Sequence, residues 1–333
     1  MGDFLLKPKI VTSMLELIGG TPMLKLGKYA DECGVVSNIL LKMEIYNSCF
    51  SIKDRIVLSI IEEAEKRGDI IPGKTTIVEV TSGNTGISLA MICAIKGYAC
   101  KIVMPMFNSF EKKLLIVNYG ASLVLTPGYL GMRGAMTKAN QIMQELDGCG
   151  FLLDQFNNTD AIKVHREKTG PEIWYQTDNK VDILIAGIGT GSTIIGISQF
   201  IKSVNPSLKI IAVEPEESAV LSGEEPNIHE IQGIGVGFIP PNVDVNMFDE
   251  ICKVSSENAK QTVNKLLIKE GINIGFSSGA TLYAAINVGK RPENVGKNIV
   301  IVVSSCGERY LYTSLFTSNY NKVNALYVEN ISL

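Results

Sequence analysis

The sequence predicts an α/β fold of two domains, each a mostly parallel sheet flanked by helices, with a ligand cleft between them. Three observations carry this. Short apolar runs alternate along the 333 residues with longer segments of helical period. Several runs, VDILIAG (181–187), LKIIAVEP (208–215) and NIVIVVSS (298–305), are apolar without alternation, as strands covered on both faces are. Turns rich in glycine and hydroxyls fall between a run and the helix after it.

Taken in order, NILLKME (38–44) reads as a strand and KDRIVLSIIEEAEKRG (53–68) as a helix. That helix puts Ile56, Ile60, Ile61 and Ala64 on one face, stops at Gly68, and has Ser51 where a cap could stand. TTIVEV (75–80), a helix from Asn84 to Lys96, KIVM (101–104), a helix over SFEKKLLIVNYG, SLVLT (122–126) and a helix over GAMTKANQIMQEL are successive βα units. FLLDQF (151–156) is the next strand, and a helix runs on through Trp174. The three continuous runs then build a second series, which SCGERYLYTSLF (305–316) closes with a turn and a short helix. No repeat or low-complexity linker marks a boundary, so the join near residue 156 comes from element order alone.

Composition narrows the function. With 46% hydrophobic and 20% charged residues the chain can fill two cores. Its 31 basic and 34 acidic residues are mixed to a net charge of −3, which leaves no footprint for nucleic acid or an anionic membrane. No apolar stretch reaches spanning length, and MGDFLLKPKI carries neither an apolar signal core nor a myristoylation motif, so the expected location is cytoplasmic. Seven cysteines without a CxxC pair read as reduced thiols packed as small hydrophobes. His165 and His229 are the only histidines and lie far apart, so no metal site and no Ser-His relay is expected.

Four segments carry chemistry. In NSCFSIKDRI, Lys53 puts a cation just inside a helix start, against the macrodipole. It is either an ordinary surface lysine or an amine held ready to form an imine with an aldehyde cofactor. EVTSGNTGISLA sets Thr81, Ser82, Gly83, Asn84, Thr85 and Gly86 at a helix start, a donor set suited to a carboxylate or phosphate, whereas a cap needs only one such residue. AGIGTGSTIIG (186–196) nearly matches the dinucleotide fingerprint, with Ser192 where a third Gly or Ala is wanted and Glu214 as a ribose ligand. Dinucleotide binding, phosphate binding and a plain tight turn all fit it. INIGFSSGATLYAAI offers Ser277 and Ser278 before a helix, where a simple cap also fits.

SIKDR, TSGNTG, QF (155–156), HREKTGPEIW, GTGST, VEPEES, IQGIGVGFIP, GFSSGA and CGERYL occur in the order seen in cysteine synthases. From about Thr12 to Phe316 the chain resembles an O-acetylserine sulfhydrylase, of the fold type II, tryptophan-synthase-β-like pyridoxal phosphate family. The resemblance implies pyridoxal 5′-phosphate in the cleft, a smaller domain over 47–156 with a mobile segment, and a larger one formed by 1–46 with 157–333. It implies that Lys53 is the Schiff-base lysine and the base toward the α-proton, its pKa lowered by the helix dipole and the Arg55 cation. By the same resemblance Asn84 bonds the cofactor's 3′-oxygen, Gly189, Thr190, Gly191, Ser192 and Thr193 cradle its phosphate, and Ser277 faces its ring nitrogen. Thr81, Ser82, Thr85 and Gln155 hold the substrate carboxylate. The implied reaction takes O-acetylserine and sulfide to cysteine and acetate in a homodimer.

Four positions depart from the family: Val80 and Ser48 replace prolines, Ser192 a glycine, and Asn108 a methionine. The first two remove rigidity from substrate loops, and Ser192 either adds a donor or strains its turn. Alternative readings follow. One is β-cyanoalanine synthesis from cysteine and cyanide. Another is a non-catalytic relative whose cleft grips a partner's C-terminal tail, as the family does with serine acetyltransferase. A dinucleotide oxidoreductase is remote.

Overall fold

The structure is a computed structural model that describes residues 10–326. The reading of MGDFLLKPK lies outside the described residues. Among the described residues there are ten strands: β1 (Met23–Lys25), β2 (Asn38–Met43), β3 (Thr76–Val80), β4 (Ala99–Pro105), β5 (Ser122–Thr126), β6 (Gly150–Leu152), β7 (Ile183–Gly187), β8 (Lys209–Pro215), β9 (Glu250–Val254) and β10 (Asn298–Val303). The helices are α1 (Lys28–Glu32), α2 (Lys53–Arg67), α3 (Asn84–Lys96), α4 (Phe110–Asn118), α5 (Gly131–Glu145) and α6 (Asp160–Val164), then α7 (Gly170–Gln176), α8 (Ser192–Val204), α9 (Ser256–Glu270), α10 (Phe276–Gly289) and α11 (Thr317–Asn324).

They form two α/β domains. A six-stranded sheet runs β1-β2-β10-β7-β8-β9, parallel except for β1, and a four-stranded parallel sheet runs β5-β4-β3-β6. The continuous apolar runs are explained by burial on both faces. In β7 and β10, Ile185 and Ile301 pack with Phe276 and Leu282 of α10, while Leu184 and Val300 pack with Ile194 and Ile197 of α8. The smaller sheet is covered likewise, Ile77 and Ile102 by Ile56, Ile60 and Ile61 of α2, and Val78 and Val103 by Ala135 and Ala139 of α5. Burying each such Ile, Leu or Val contributes about 1.5–3 kcal/mol.

Two edge strands escaped the sequence reading. β9 is half-buried and carries Glu250 and Lys253, and β1 is a three-residue antiparallel edge. The strand expected over 151–156 ends at Leu152, because Asp154 takes a left-handed φ of 49° and turns the chain. Beyond that turn Gln155 is buried against Thr85 and Glu79 instead of joining the sheet.

Candidate active site

The loops after β2, β3, β7 and β10 leave the C-terminal ends of their strands, the edge where ligands of open α/β sheets bind. Between them lies a cleft lined by Lys53, Asn84, Ser277, Ser304 and residues of the 187–193 loop. The start of α2 is tied to the end of β10, with Ile52 N donating to Ser304 O at 2.9 Å and Ser51 bridging Ser305. Lys53 therefore stands where the two sheets meet.

Ser51 Oγ accepts from Lys53 N at 3.3 Å, although Ile52 and not Ser51 stands at the N-cap of α2. Lys53 opens partly to the cleft, but its ammonium is deep enough that burial pulls its pKa down to about 8, with Glu79 opposing. Burial does this, and the Arg55 charge does not. The Arg55 guanidinium is cancelled by Glu44 and Glu172, which accept from it at 2.6–2.8 Å.

Thr81, Ser82 and Gly83 link β3 to the thirteen-residue α3, of which Asn84 and Thr85 are the first two residues. Thr81 Oγ1 accepts from Gly83 N at 3.0 Å, which bends the loop. Thr85 Oγ1 donates to Gln155 Oε1 at 2.7 Å and Gln155 Nε2 donates to Glu79 Oε1 at 3.0 Å. The Thr85 hydroxyl proton is thus used, leaving its backbone N–H and the second Nε2 hydrogen of Gln155 for an anion. Ser82 is exposed. Burial raises Glu79 to about 8, and its Oε2 has no hydrogen-bond partner. Asn84 Oδ1 accepts from Arg309 at 3.0 Å and its Nδ2 donates to Tyr310 OH at 3.5 Å.

At the other wall, Gly191 takes a φ of +81° before α8, and a Cβ there would fall 2.3 Å from Val243 Cγ2. Ser192 begins the helix itself and its Oγ lies 3.1 Å from Thr190 Oγ1, so the serine adds a hydroxyl without strain. Thr193 Oγ1 lies 3.4 Å from Nε2 of His165, a buried ring whose pKa falls to about 3 through burial and then Arg55, and which is neutral. Glu214, the ribose ligand of the dinucleotide reading, instead accepts from Leu221 N, Ser222 N and Ser222 Oγ, at 2.7, 3.1 and 2.6 Å. It serves to fold its own loop.

Ser277 Oγ lies 3.0 Å from Ser304 Oγ, whose backbone N–H donates to Ser278 Oγ at 3.0 Å. The structure also ties the departures from the family pattern. Ser48 Oγ donates to Met14 O at 2.7 Å, Val80 continues the ladder opposite Val103, and Asn108 Nδ2 donates to Pro105 O at 3.1 Å. Neither Ser48 nor Val80 leaves a slack loop. Glu79, Lys112, Gln232, Ser304 and Arg309 were not singled out in the sequence, because each acquires its place only through a contact distant along the chain. A Glu two residues before the TSGNTG loop was the one local signal available.

The family model described as pyridoxal-phosphate dependent enzyme matches residues 14–305. A cysteine synthase of Staphylococcus aureus is 44% identical over 310 residues, 93% of this chain and 98% of its own length. Cysteine synthase 3 of Caenorhabditis elegans is 42% identical over 311 residues, 93% of this chain and 91% of its own. The crystal structure of the cysteine synthase of Entamoeba histolytica superposes with a TM-score of 0.90 at 40% identity, covering 98% of this chain and 94% of that one. The cleft fits the cofactor those comparisons imply: a buried, low-pKa amine on one side, a helix start with a tightly packed glycine turn on the other, and neutral amide and hydroxyl groups between them. With most of its length matched, this chain belongs to the pyridoxal-phosphate dependent enzyme family.

Proposed function

We propose that the protein is a cysteine synthase, converting O-acetylserine and sulfide to cysteine and acetate. The observation that carries this is the convergence of Lys53, the donor-rich start of α3 and the 189–193 loop on one cleft. In this reading Lys53 would bind pyridoxal phosphate covalently, the 189–193 loop and the start of α8 would hold its phosphate, Asn84 would donate to its ring oxygen and Ser277 would face its nitrogen. When bound, the cofactor supplies an electron sink that acidifies the substrate's Cα–H. The rest is done by the chain. Thr81, Ser82 and Gln155, with the free N–H groups of α3, orient the α-carboxylate. Lys53 Nζ, about half deprotonated near pH 8, takes and returns a proton at Cα. Ser277 is a neutral hydroxyl tied to Ser304 and does not hold a proton on the ring, which favours loss of the β-substituent over transamination.

The 47–156 segment serves as the smaller, moving domain against 1–46 and 157–333. Small-molecule substrates are its main partners, in the cytoplasm. Exposure of Phe107, Phe110 and Tyr129 supports a surface that a second copy covers in a homodimer. An acyltransferase-like C-terminal tail would compete for the donors that hold the amino acid. The non-catalytic alternative loses its support, since Ser48 and Val80 are anchored. The test is the visible spectrum of the purified holoprotein. O-acetylserine should change the cofactor band and sulfide should restore it with release of cysteine. An unaltered spectrum, with tight binding of a peptide ending in a free carboxylate, would refute the catalytic reading.

A further inference from the structure

Lys112 is a buried cation with no part in the chemistry above. It lies on α4 and is 3% exposed. Its ammonium donates to Gln232 Oε1 at 2.6 Å and sits 4.6 Å from the centre of the Tyr310 ring. Among the described residues no carboxylate forms an ion pair with it. Glu111, beside it in sequence, instead accepts from Tyr312 N at 3.4 Å, and Arg309, a neighbouring cation, is engaged by Asn84 and Cys49 O. Both partners of the ammonium are neutral, and burial works against its charge.

Its position gives the charge a purpose. The stem lies on Gly83, where a Cβ would fall 2.3 Å from Lys112 Cδ and 3.1 Å from Cε. The stem therefore packs against the middle of the Thr81–Thr85 loop, with the ammonium one bond beyond Cε. An ammonium has three N–H donors. The amide of Gln232 takes one, the Tyr310 face covers a second side, and a third is left for an oxygen. We propose that Lys112 binds the α-carboxylate of the amino-acid substrate, adding a full positive charge to a loop of otherwise neutral donors. This rests on the reading of the Thr81–Thr85 loop as the carboxylate site. It makes Lys112 a specificity residue, selecting a free amino acid over its amide or ester, because only a carboxylate compensates the buried ammonium.

The holoprotein can be titrated spectrophotometrically with L-serine and with L-serinamide. Differences in amine basicity between the two probes cancel when the acid-to-amide affinity ratio is compared across variants. Lys112→Met should lower that ratio by about tenfold or more, the scale of one hydrogen bond to a charged group. Lys112→Arg should restore most of it. If Lys112→Met weakens both probes equally, or neither, the lysine is only a strap holding α4, and the proposal is overturned while the loop reading stands. The double variant Thr81→Ala, Ser82→Ala tests that loop separately. If it leaves serine affinity untouched, the loop reading and the proposal fall together.

Discussion

The change Glu172→Gln removes one charge from a buried cluster and little else. Glu172 on α7 is 3% exposed. Its Oε1 accepts from Arg55 Nη1 at 2.8 Å and Gly20 N at 3.0 Å, and its Oε2 accepts from Arg55 Nη2 and from Lys42, each at 2.7 Å. Arg55 also binds Glu44, so two cations and two anions balance among β2, the loop after it, α2 and α7. The glutamine leaves that balance one positive charge in excess and sets an NH2 group against Arg55 or Lys42. Breaking one partner of a buried pair costs about 3–5 kcal/mol. A second route gives the same size. Arg55, more than Lys42, holds the Glu172 carboxyl down to about 2 from an ordinary 4.5, overcoming the burial that alone would raise it. At about 1.4 kcal/mol per pH unit, that gap corresponds to about 3 kcal/mol. Burial pulls Lys42 down despite Glu172, so the lysine adds less. Because the folded-state pKa lies below the unfolded one, this stability is complete above about pH 4.5 and disappears as pH falls toward 2. Thermal unfolding of cofactor-free wild type and variant should differ by roughly 4 °C or more at pH 7. The difference should narrow on acidification below 4.5. A variant within 1 °C of wild type at pH 7, or a difference that stays constant in acid, would refute the reasoning.

Two further outcomes follow from the cleft. In cofactor-free protein, trace acetylation of Lys53 read by mass spectrometry should rise with pH around a midpoint near 8, since the protonated amine below that pH is unreactive; a midpoint above 10 would show an ordinary exposed lysine. Ser277→Asp should retain the cofactor, read from its absorbance, yet lose β-elimination by at least about tenfold, because a carboxylate would hold a proton on the ring nitrogen; full activity would contradict the role given to Ser277.

Legibility in the sequence followed the range of the interaction. The helix from Asn84 to Lys96 and the strand 122–126 have the bounds read from sequence, since period, turn chemistry and length all agree there. β9 was missed because an edge strand needs no continuous apolar run, and the end of β6 because Asp154 adopts an unusual backbone angle that composition does not announce. In the site, the glycine loops were legible as donor sets, while their orientation was not. The orientation of the Asn84 amide depends on Arg309 and Tyr310, 225 and 226 positions later. The cause of the low Lys53 pKa was assigned to its sequence neighbour Arg55, because the Glu44 and Glu172 partners of Arg55 are brought in by other elements.

Those errors share a physical cause that also explains how the molecule divides its labour. Full buried charges gather where β2, α2 and α7 meet, paired and fixed in geometry. The groups facing or backing the cleft are pushed toward neutrality instead: Lys53 down to about 8, Glu79 up to about 8, and His165 down to about 3. A wall of that kind resists little when a charged ligand enters, and in low dielectric one unpaired cation counts for more than several dipoles. An incoming carboxylate also meets Lys112, which stands outside the charge cluster and, like its neighbour Arg309, is held by neutral partners and shares no ion pair among the described residues. Changes at Glu172 or Lys42 therefore act through the rigidity of the frame that carries Lys53. Changes at Lys112 act through the charge that the substrate meets. Stability and carboxylate selectivity are separable by position, because the two sets of charges are kept apart.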